Sequence, residues 1–154
     1  MTALCTGSFD PITIGHYDYI SRAAAMFDRV VVAVSCNTEK RYMFDAESRV
    51  RFVKQAFVGL PNVSVVEDRG WVADLVATQG ANLIVKGVRN GTDLDYEYTI
   101  ACINKALSGV ETVFIPSAPQ YSFVSSTMLR ELIKHGKDYT PYLPKGVCID
   151  LKEV

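Results

Sequence analysis

No apolar run in this chain of 154 residues approaches the ~20 residues that a membrane-crossing helix needs. A transmembrane segment is therefore not expected. A basic excess is also missing, since 16 Lys and Arg stand against 17 Asp and Glu for a net charge of −1. A general nucleic-acid binder needs the opposite balance, so any phosphate recognition must come from a local cluster. Cysteine is sparse and scattered: Cys5, Cys36, Cys102 and Cys148 form no C-x-x-C pair and no Cys–His ligand spacing. Most of the four fall in or beside apolar runs, which suggests buried free thiols and a reducing compartment. The first strand begins almost at Met1, leaving no room for a signal peptide, and the expected location is the cytoplasm. Linkers, internal repeats and low-complexity segments are absent too.

What is present is a globular composition. Hydrophobic residues make up 49% of the chain, which argues against disorder, and the length suits one domain over residues 1–154. Short apolar runs alternate with segments of helical periodicity. Ala3–Cys5, Arg29–Ser35, Val63–Val66, Leu83–Val85 and Val113–Ile115 read as strands, and the β-branched run Val30 to Val34 suits a strand buried on both faces. Helices are expected from Gly15 to Phe27, from Ala46 to Phe57 behind an Asp45 cap, and from Trp71 to Thr78 before a stop at Gly80. Two more are expected, from Asp93 to Leu107 and from Val124 to about His135, and the tail could hold one short terminal helix. In the second helix Val50, Val53 and Phe57 form the inward face, with Phe52 at its edge. The fold class is α/β: a Rossmann-like domain with a five-stranded parallel sheet and helices on both faces. In such a sheet ligands bind off the carboxyl ends of the strands, where the strand order reverses.

The stretch Gly7-Ser8-Phe9-Asp10-Pro11-Ile12-Thr13-Ile14-Gly15-His16 packs a strand end, a tight turn and a helix start together. Gly7 allows close backbone approach to a ligand, and Gly15 lies where a helix presents unpaired N–H groups and its positive dipole end. That is a place for an anion, with His16 and the Ser8 hydroxyl in reach. Three other stretches carry chemistry. The loop from Thr38 to Phe44 offers Lys40 and Arg41, which could hold a phosphate but alone read more readily as solvated charges. Lys86-Gly87-Val88-Arg89 sets two cations around a glycine directly after a strand, and Arg89 can grip a phosphate through two parallel hydrogen bonds. Tyr121-Ser122-Phe123-Val124-Ser125-Ser126-Thr127 brings hydroxyls and free N–H donors to a helix start, with Arg130 one turn on. An aromatic and apolar set, Phe9, Met43, Trp71, Val72, Tyr96 and Leu107, is mostly core, with a few members available to line a groove for an uncharged arm.

The first of these strings resembles the G-x-F-D-P-x-T-x-G-H signature of the nucleotidyltransferase superfamily, and Val124-Ser125-Ser126-Thr127-x-x-Arg130 resembles its second, I-S-S-T/S-x-x-R/K. Within that superfamily the chain is similar, over essentially its whole length, to the phosphopantetheine adenylyltransferases. The resemblance rests on Thr13-x-Gly15-His16, the Lys40 loop closing on Met43-Phe44, and Lys86-Gly87-Val88-Arg89 leading to Asp93-Leu94-Asp95-Tyr96-Glu97. It implies adenylyl transfer from ATP to 4′-phosphopantetheine, giving dephospho-coenzyme A and pyrophosphate. His16, Ser8, Lys40 and Arg89 would be the catalytic residues. ATP would be bound by Ser8, Phe9, His16, Gly87, Val88, Arg89, Glu97, Tyr121, Ser122, Phe123, Val124, Ser125, Ser126 and Thr127. Phosphopantetheine would meet Ser8, Lys40, Val72 and Lys86. The resemblance also implies Mg²⁺ held mainly by the ATP phosphates, coenzyme A as a feedback ligand and a homohexamer, with Tyr98, Ile100, Ile103 and Leu107 as a candidate subunit contact. Ser8 and Lys86 stand where the family commonly has Thr and often Arg, so a hydroxyl and a cation are kept.

Charge alone then suggests a mechanism. The acceptor phosphate has a second pKa near ~6 and is already an anionic nucleophile at neutral pH, so in-line attack needs neither a general base nor a covalent intermediate. Two other readings stay open at this point: a sister enzyme acting on nicotinamide mononucleotide or using CTP on an alcohol phosphate, and a nucleotide-binding regulator without turnover.

Overall fold

A computed structural model describes residues 1–37 and 39–151; Thr38 in the Lys40 loop, and residues 152–154 in the tail, lie outside the described residues. Five strands, β1 (Thr2–Gly7), β2 (Arg29–Ser35), β3 (Val63–Asp68), β4 (Leu83–Val88) and β5 (Glu111–Pro116), form one sheet in the order β3-β2-β1-β4-β5. Every pairing is parallel. The helices are α1 (Ile14–Met26), α2 (Ala46–Ala56), α3 (Val72–Gln79), α4 (Gly91–Ser108) and α5 (Ser126–Lys134), with 3-10 turns at Pro119–Tyr121 and Thr140–Tyr142.

Side-chain alternation on the strands builds a core on each side. Ala3, Cys5, Val30, Val32, Val34 and Val85 face α1, α2 and α5, while Leu4, Val31, Ala33 and Ile84 face α3 through Val76. The chain runs outward from β1 to β3 on one side and from β4 to β5 on the other. The strand order thus reverses between β1 and β4, and a ligand crevice belongs above their carboxyl ends.

Local signals place the helix starts. Asp45 caps α2 by accepting the Ser48 N–H at 2.7 Å, and Ser125 caps α5 by accepting that of Met128 at 3.0 Å. Gly80, at φ 60, ends α3 in the left-handed conformation that glycine adopts without a Cβ penalty.

Several expectations need correction. The fourth strand does not stop at Val85, because its ladder with β5 continues through Lys86, Gly87 and Val88, so these lie in a strand and not a loop. The fourth helix starts at Gly91 and not Asp93, since Asn90 accepts the Asp93 N–H at 2.9 Å and is itself the cap. Phe52 is fully buried at the centre of the α2 inner face, with its ring edge-on to Phe44. Of the four free cysteines only Cys5 and Cys36 are buried; Cys102 and Cys148 are exposed.

Candidate active site

The crevice between β1 and β4 has two lobes. The first, with a volume of about 280 Å³, is walled by Thr13, Gly15 and His16 at the start of α1 and by Ser125, Ser126 and Thr127 at the start of α5. Two helix N-termini therefore converge on one space, and their unpaired N–H groups and dipoles favour an anion there. Arg89, Asp93, Ser117 and Val124 also line that lobe. The second, of about 360 Å³, holds Ser8, Lys40, Val72 and Lys86, the four residues expected to meet one ligand, together with Ser35, Asp68 and Ile100. His16, Tyr19, Gly87, Tyr96 and Glu97 line both lobes. His16 thus stands at the boundary.

Its orientation is set by a reciprocal cap. Thr13 donates its backbone N–H to His16 Nδ1 at 3.0 Å, and Thr13 Oγ1 accepts the His16 N–H at 3.2 Å. Nδ1 is therefore an acceptor, and in the neutral ring the proton sits on Nε2 as a donor. The Phe9 ring meets the imidazole edge-on at 5.1 Å, and Tyr19 does so at 6.3 Å. Burial, followed by the charges of Arg89 and Lys86, lowers the His16 pKa to about 4. At neutral pH the group is a neutral hydrogen-bond donor.

The cations are held in place. Lys86 Nζ donates to Thr6 O at 3.2 Å and lies 3.3 Å from Glu97 Oε2, close enough for an ion pair but without hydrogen-bond alignment. Arg89 is already forked: Nε donates to Asp93 Oδ2 at 2.7 Å and Nη2 to Asp93 Oδ1 at 3.0 Å. That hydrogen-bonded fork holds the Asp93 carboxyl below its ordinary range. A phosphate would thus meet the remaining Arg89 hydrogens instead of an unoccupied fork.

Some expected residues lie elsewhere. Phe9, at φ 48, buries its ring against His16 and lines only the second lobe. A Cβ on Gly7 would sit 3.0 Å from that ring, so Gly7 makes room for Phe9 before any ligand. Gly87 likewise makes room for Tyr19, whose Cδ1 would be 2.4 Å from an added Cβ. Val88 is buried and lines neither lobe; nor do Tyr121, Ser122 and Phe123, and the Phe123 ring packs edge-on against Tyr142 outside the cleft. Ser126 spends its hydroxyl on Pro11 O at 2.8 Å, leaving its backbone N–H for the cleft. Of the aromatic and apolar set, Phe9, Val72 and Tyr96 line the cleft, and Met43, Trp71 and Leu107 do not.

Sequence reasoning missed the residues that brace these loops. Arg49, on α2 and 1% exposed, donates from Nη1 to Ser8 O at 2.8 Å and Ser35 O at 2.6 Å, and from Nε to Phe44 O at 3.1 Å. The buried Asp10 carboxylate accepts the Met43 and Phe44 N–H groups, each at 2.9 Å. Arg130 Nη1 donates to Asp10 O at 2.7 Å, tying α5 to the same turn. One network thus fixes the Ser8 turn, the end of the Lys40 loop and the α5 start relative to one another.

A parallel sheet carrying a two-lobed cleft beside paired helix N-termini defines an α/β domain of the Rossmann-like class. The chain belongs to the cytidylyltransferase-like family of nucleotidyltransferases, whose model matches residues 4–132. It is similar to the crystal structure of a proposed nicotinate-nucleotide adenylyltransferase from Vibrio parahaemolyticus, at 18% identity and a TM-score of 0.67, covering 95% of this chain and 94% of that one. It is also similar to a lipopolysaccharide core biosynthesis protein from Thermoplasma volcanium GSS1, at 21% identity and a TM-score of 0.56, covering 77% and 96%. At these identities the likeness is one of fold.

Proposed function

We propose that this nucleotidyltransferase moves the adenylyl group of ATP onto 4′-phosphopantetheine, releasing pyrophosphate and dephospho-coenzyme A. The observation that carries the reading is the place of His16 in the wall between two lobes, one ringed by helix N-termini and Arg89, the other by Lys40 and Lys86. ATP occupies the first, with its triphosphate over the starts of α1 and α5. The acceptor phosphate lies beside Ser8 and Lys40, and its uncharged arm runs along Val72, Ile100 and Tyr96.

The acceptor phosphate oxygen attacks the α-phosphorus in line. A new P–O bond forms as the bond to the α–β bridging oxygen breaks, and its electron pair leaves with pyrophosphate. No proton has to be removed first. His16 donates from Nε2 to an α-phosphoryl oxygen as charge builds there, while Lys40, Lys86 and Arg89 offset the repulsion of two polyanions. Among the described residues no group of three or more His, Cys, Asp or Glu could hold a metal ion, and Asp93 and Glu97 are engaged by Arg89 and Lys86. Mg²⁺ would accordingly travel on the triphosphate oxygens and water, supplying charge neutralisation when bound.

Coenzyme A, which contains both halves, would compete for the cleft as a feedback ligand. A subunit contact, as the expected homohexamer needs, is supported by exposed Tyr98, Ile103 and Leu107 on α4, whereas Ile100 lines the second lobe instead. A cytoplasmic location is supported by four unpaired cysteines, and among the described residues no helix is long and apolar enough to cross a membrane.

The test is pyrophosphate release from ATP and Mg²⁺ with each acceptor in turn: 4′-phosphopantetheine, nicotinate mononucleotide and nicotinamide mononucleotide. Turnover with the first alone supports the reading. Preferred turnover of a mononucleotide, or tight ATP binding without pyrophosphate, overturns it.

A further inference from the structure

Asp68 is the last residue of β3, and it is the acidic group of the acceptor lobe that Lys86 does not engage. It is 7% exposed, and its Oδ1 accepts the Gly70 N–H at 3.1 Å. Among the described residues no donor meets Oδ2 and no cation lies within ion-pairing distance. Its Oδ2 is left for the lobe it lines, and the Gly70 turn alone does not require a charge there, because an Asn would cap the same turn uncharged.

Register fixes where this charge stands. Gly7 is level with Val34, and Val34 with Glu67, so the next row across the sheet is Ser8, Ser35 and Asp68. Arg49 holds the Ser8 and Ser35 carbonyls of that row. Asp68 therefore lies two strands from the Ser8 turn, about 10 Å at the spacing of neighbouring strands. A ligand whose phosphate sits at Ser8 and Lys40 reaches Asp68 only with its non-reacting arm.

The geometry points to Asp68 as a specificity-determining residue that selects, about 10 Å from the acceptor phosphate, an arm carrying an N–H or O–H donor and rejects one carrying an anion. This rests on the reading of the second lobe as the acceptor site. Phosphopantetheine meets the requirement through its amide N–H groups. An acceptor ending in a carboxylate at that distance would face a buried like charge with no cation between them.

The experiment compares kcat/KM for 4′-phosphopantetheine with that for 4′-phosphopantothenate, in which a carboxylate stands where the second amide was. Asp68→Asn keeps an acceptor for the Gly70 N–H and removes the charge. The wild type should prefer phosphopantetheine, and Asp68→Asn should reduce that preference at least about tenfold, through KM, with kcat at saturation little changed. Asp68→Ser, which also retains an acceptor, should move the preference the same way. An unchanged preference in both variants, or a wild type indifferent to the two acceptors, overturns the role of Asp68 while leaving adenylyl transfer intact. Absence of turnover by the wild type with phosphopantetheine overturns the functional reading and this inference with it.

Discussion

Thr13 and His16 exchange hydrogen bonds in both directions, backbone N–H to Nδ1 at 3.0 Å and backbone N–H to Oγ1 at 3.2 Å. One helix cap therefore decides which imidazole nitrogen faces the ligands, and burial, helped by the Arg89 and Lys86 charges, keeps the ring neutral.

The first expected outcome concerns that neutrality. With His135→Gln removing the only other histidine, the His16 imidazole signal in an NMR titration should move near pH 4. Because the folded pKa is below the unfolded value of about 6.5, the unfolded chain takes up this proton first. The stability that neutral His16 contributes is complete above that unfolded value, is lost as the pH falls towards 4, and is constant below it. A midpoint near an ordinary histidine value would refute the assignment.

Replacing the ring should cost turnover more than binding. His16→Ala is expected to lower kcat by about a hundred- to a thousandfold, the range for losing one donor to a developing oxyanion. Calorimetry should show ATP affinity within a few-fold of wild type, since the interaction strengthens chiefly in the transition state.

Thr13→Ala removes the cap without touching the imidazole. Thermal denaturation should report a loss of about 1 kcal/mol, and kcat should fall a few-fold, because the ring keeps the backbone N–H on Nδ1 but loses the Oγ1 half of the cap that holds its helix turn in place. Thr13→Ser keeps the hydroxyl and should restore both.

Gly87→Ala sets a Cβ 2.4 Å from Tyr19 Cδ1, and the Tyr19 ring lies edge-on to His16. Overpacking of this kind costs about 1–3 kcal/mol. Tyr19→Leu in the same chain should recover part of the loss, and the shortfall from additivity in urea unfolding measures the contact.

Arg49→Met leaves the Ser8, Ser35 and Phe44 carbonyls without their donor. Urea unfolding should show a loss of about 3 kcal/mol or more. The KM of the acceptor should rise more than that of ATP, because Ser8 and the end of the Lys40 loop lose their shared anchor.

Much of the fold was legible because local chemistry decided it. The β-branched run gave Arg29–Ser35 its bounds, and the Asp45 and Ser125 caps stood where hydroxyl and carboxylate side chains precede an apolar periodicity. Strand ends were less legible: Lys86 and Gly87 look like loop residues, and only pairing with Phe114 and Ile115 keeps them extended. In the site, both signature strings fell on the cleft, yet Tyr121, Ser122 and Phe123 did not, because the 3-10 turn at Pro119–Tyr121 carries them away from its wall. Arg49 was invisible as a core residue, since nothing local separates it from Arg51 two positions later. Asp68 was hidden for a similar reason. A strand-end carboxylate looks solvated until the neighbouring loops are seen to enclose it.

The wall shared by the two lobes has a kinetic corollary. Ligands resting on the same five side chains lie close enough that, once joined by a bond, they become one molecule whose halves each keep the other from drifting off. The joined molecule gives up translational freedom once where the separate reactants give it up twice, so it should outlast either of them on the protein.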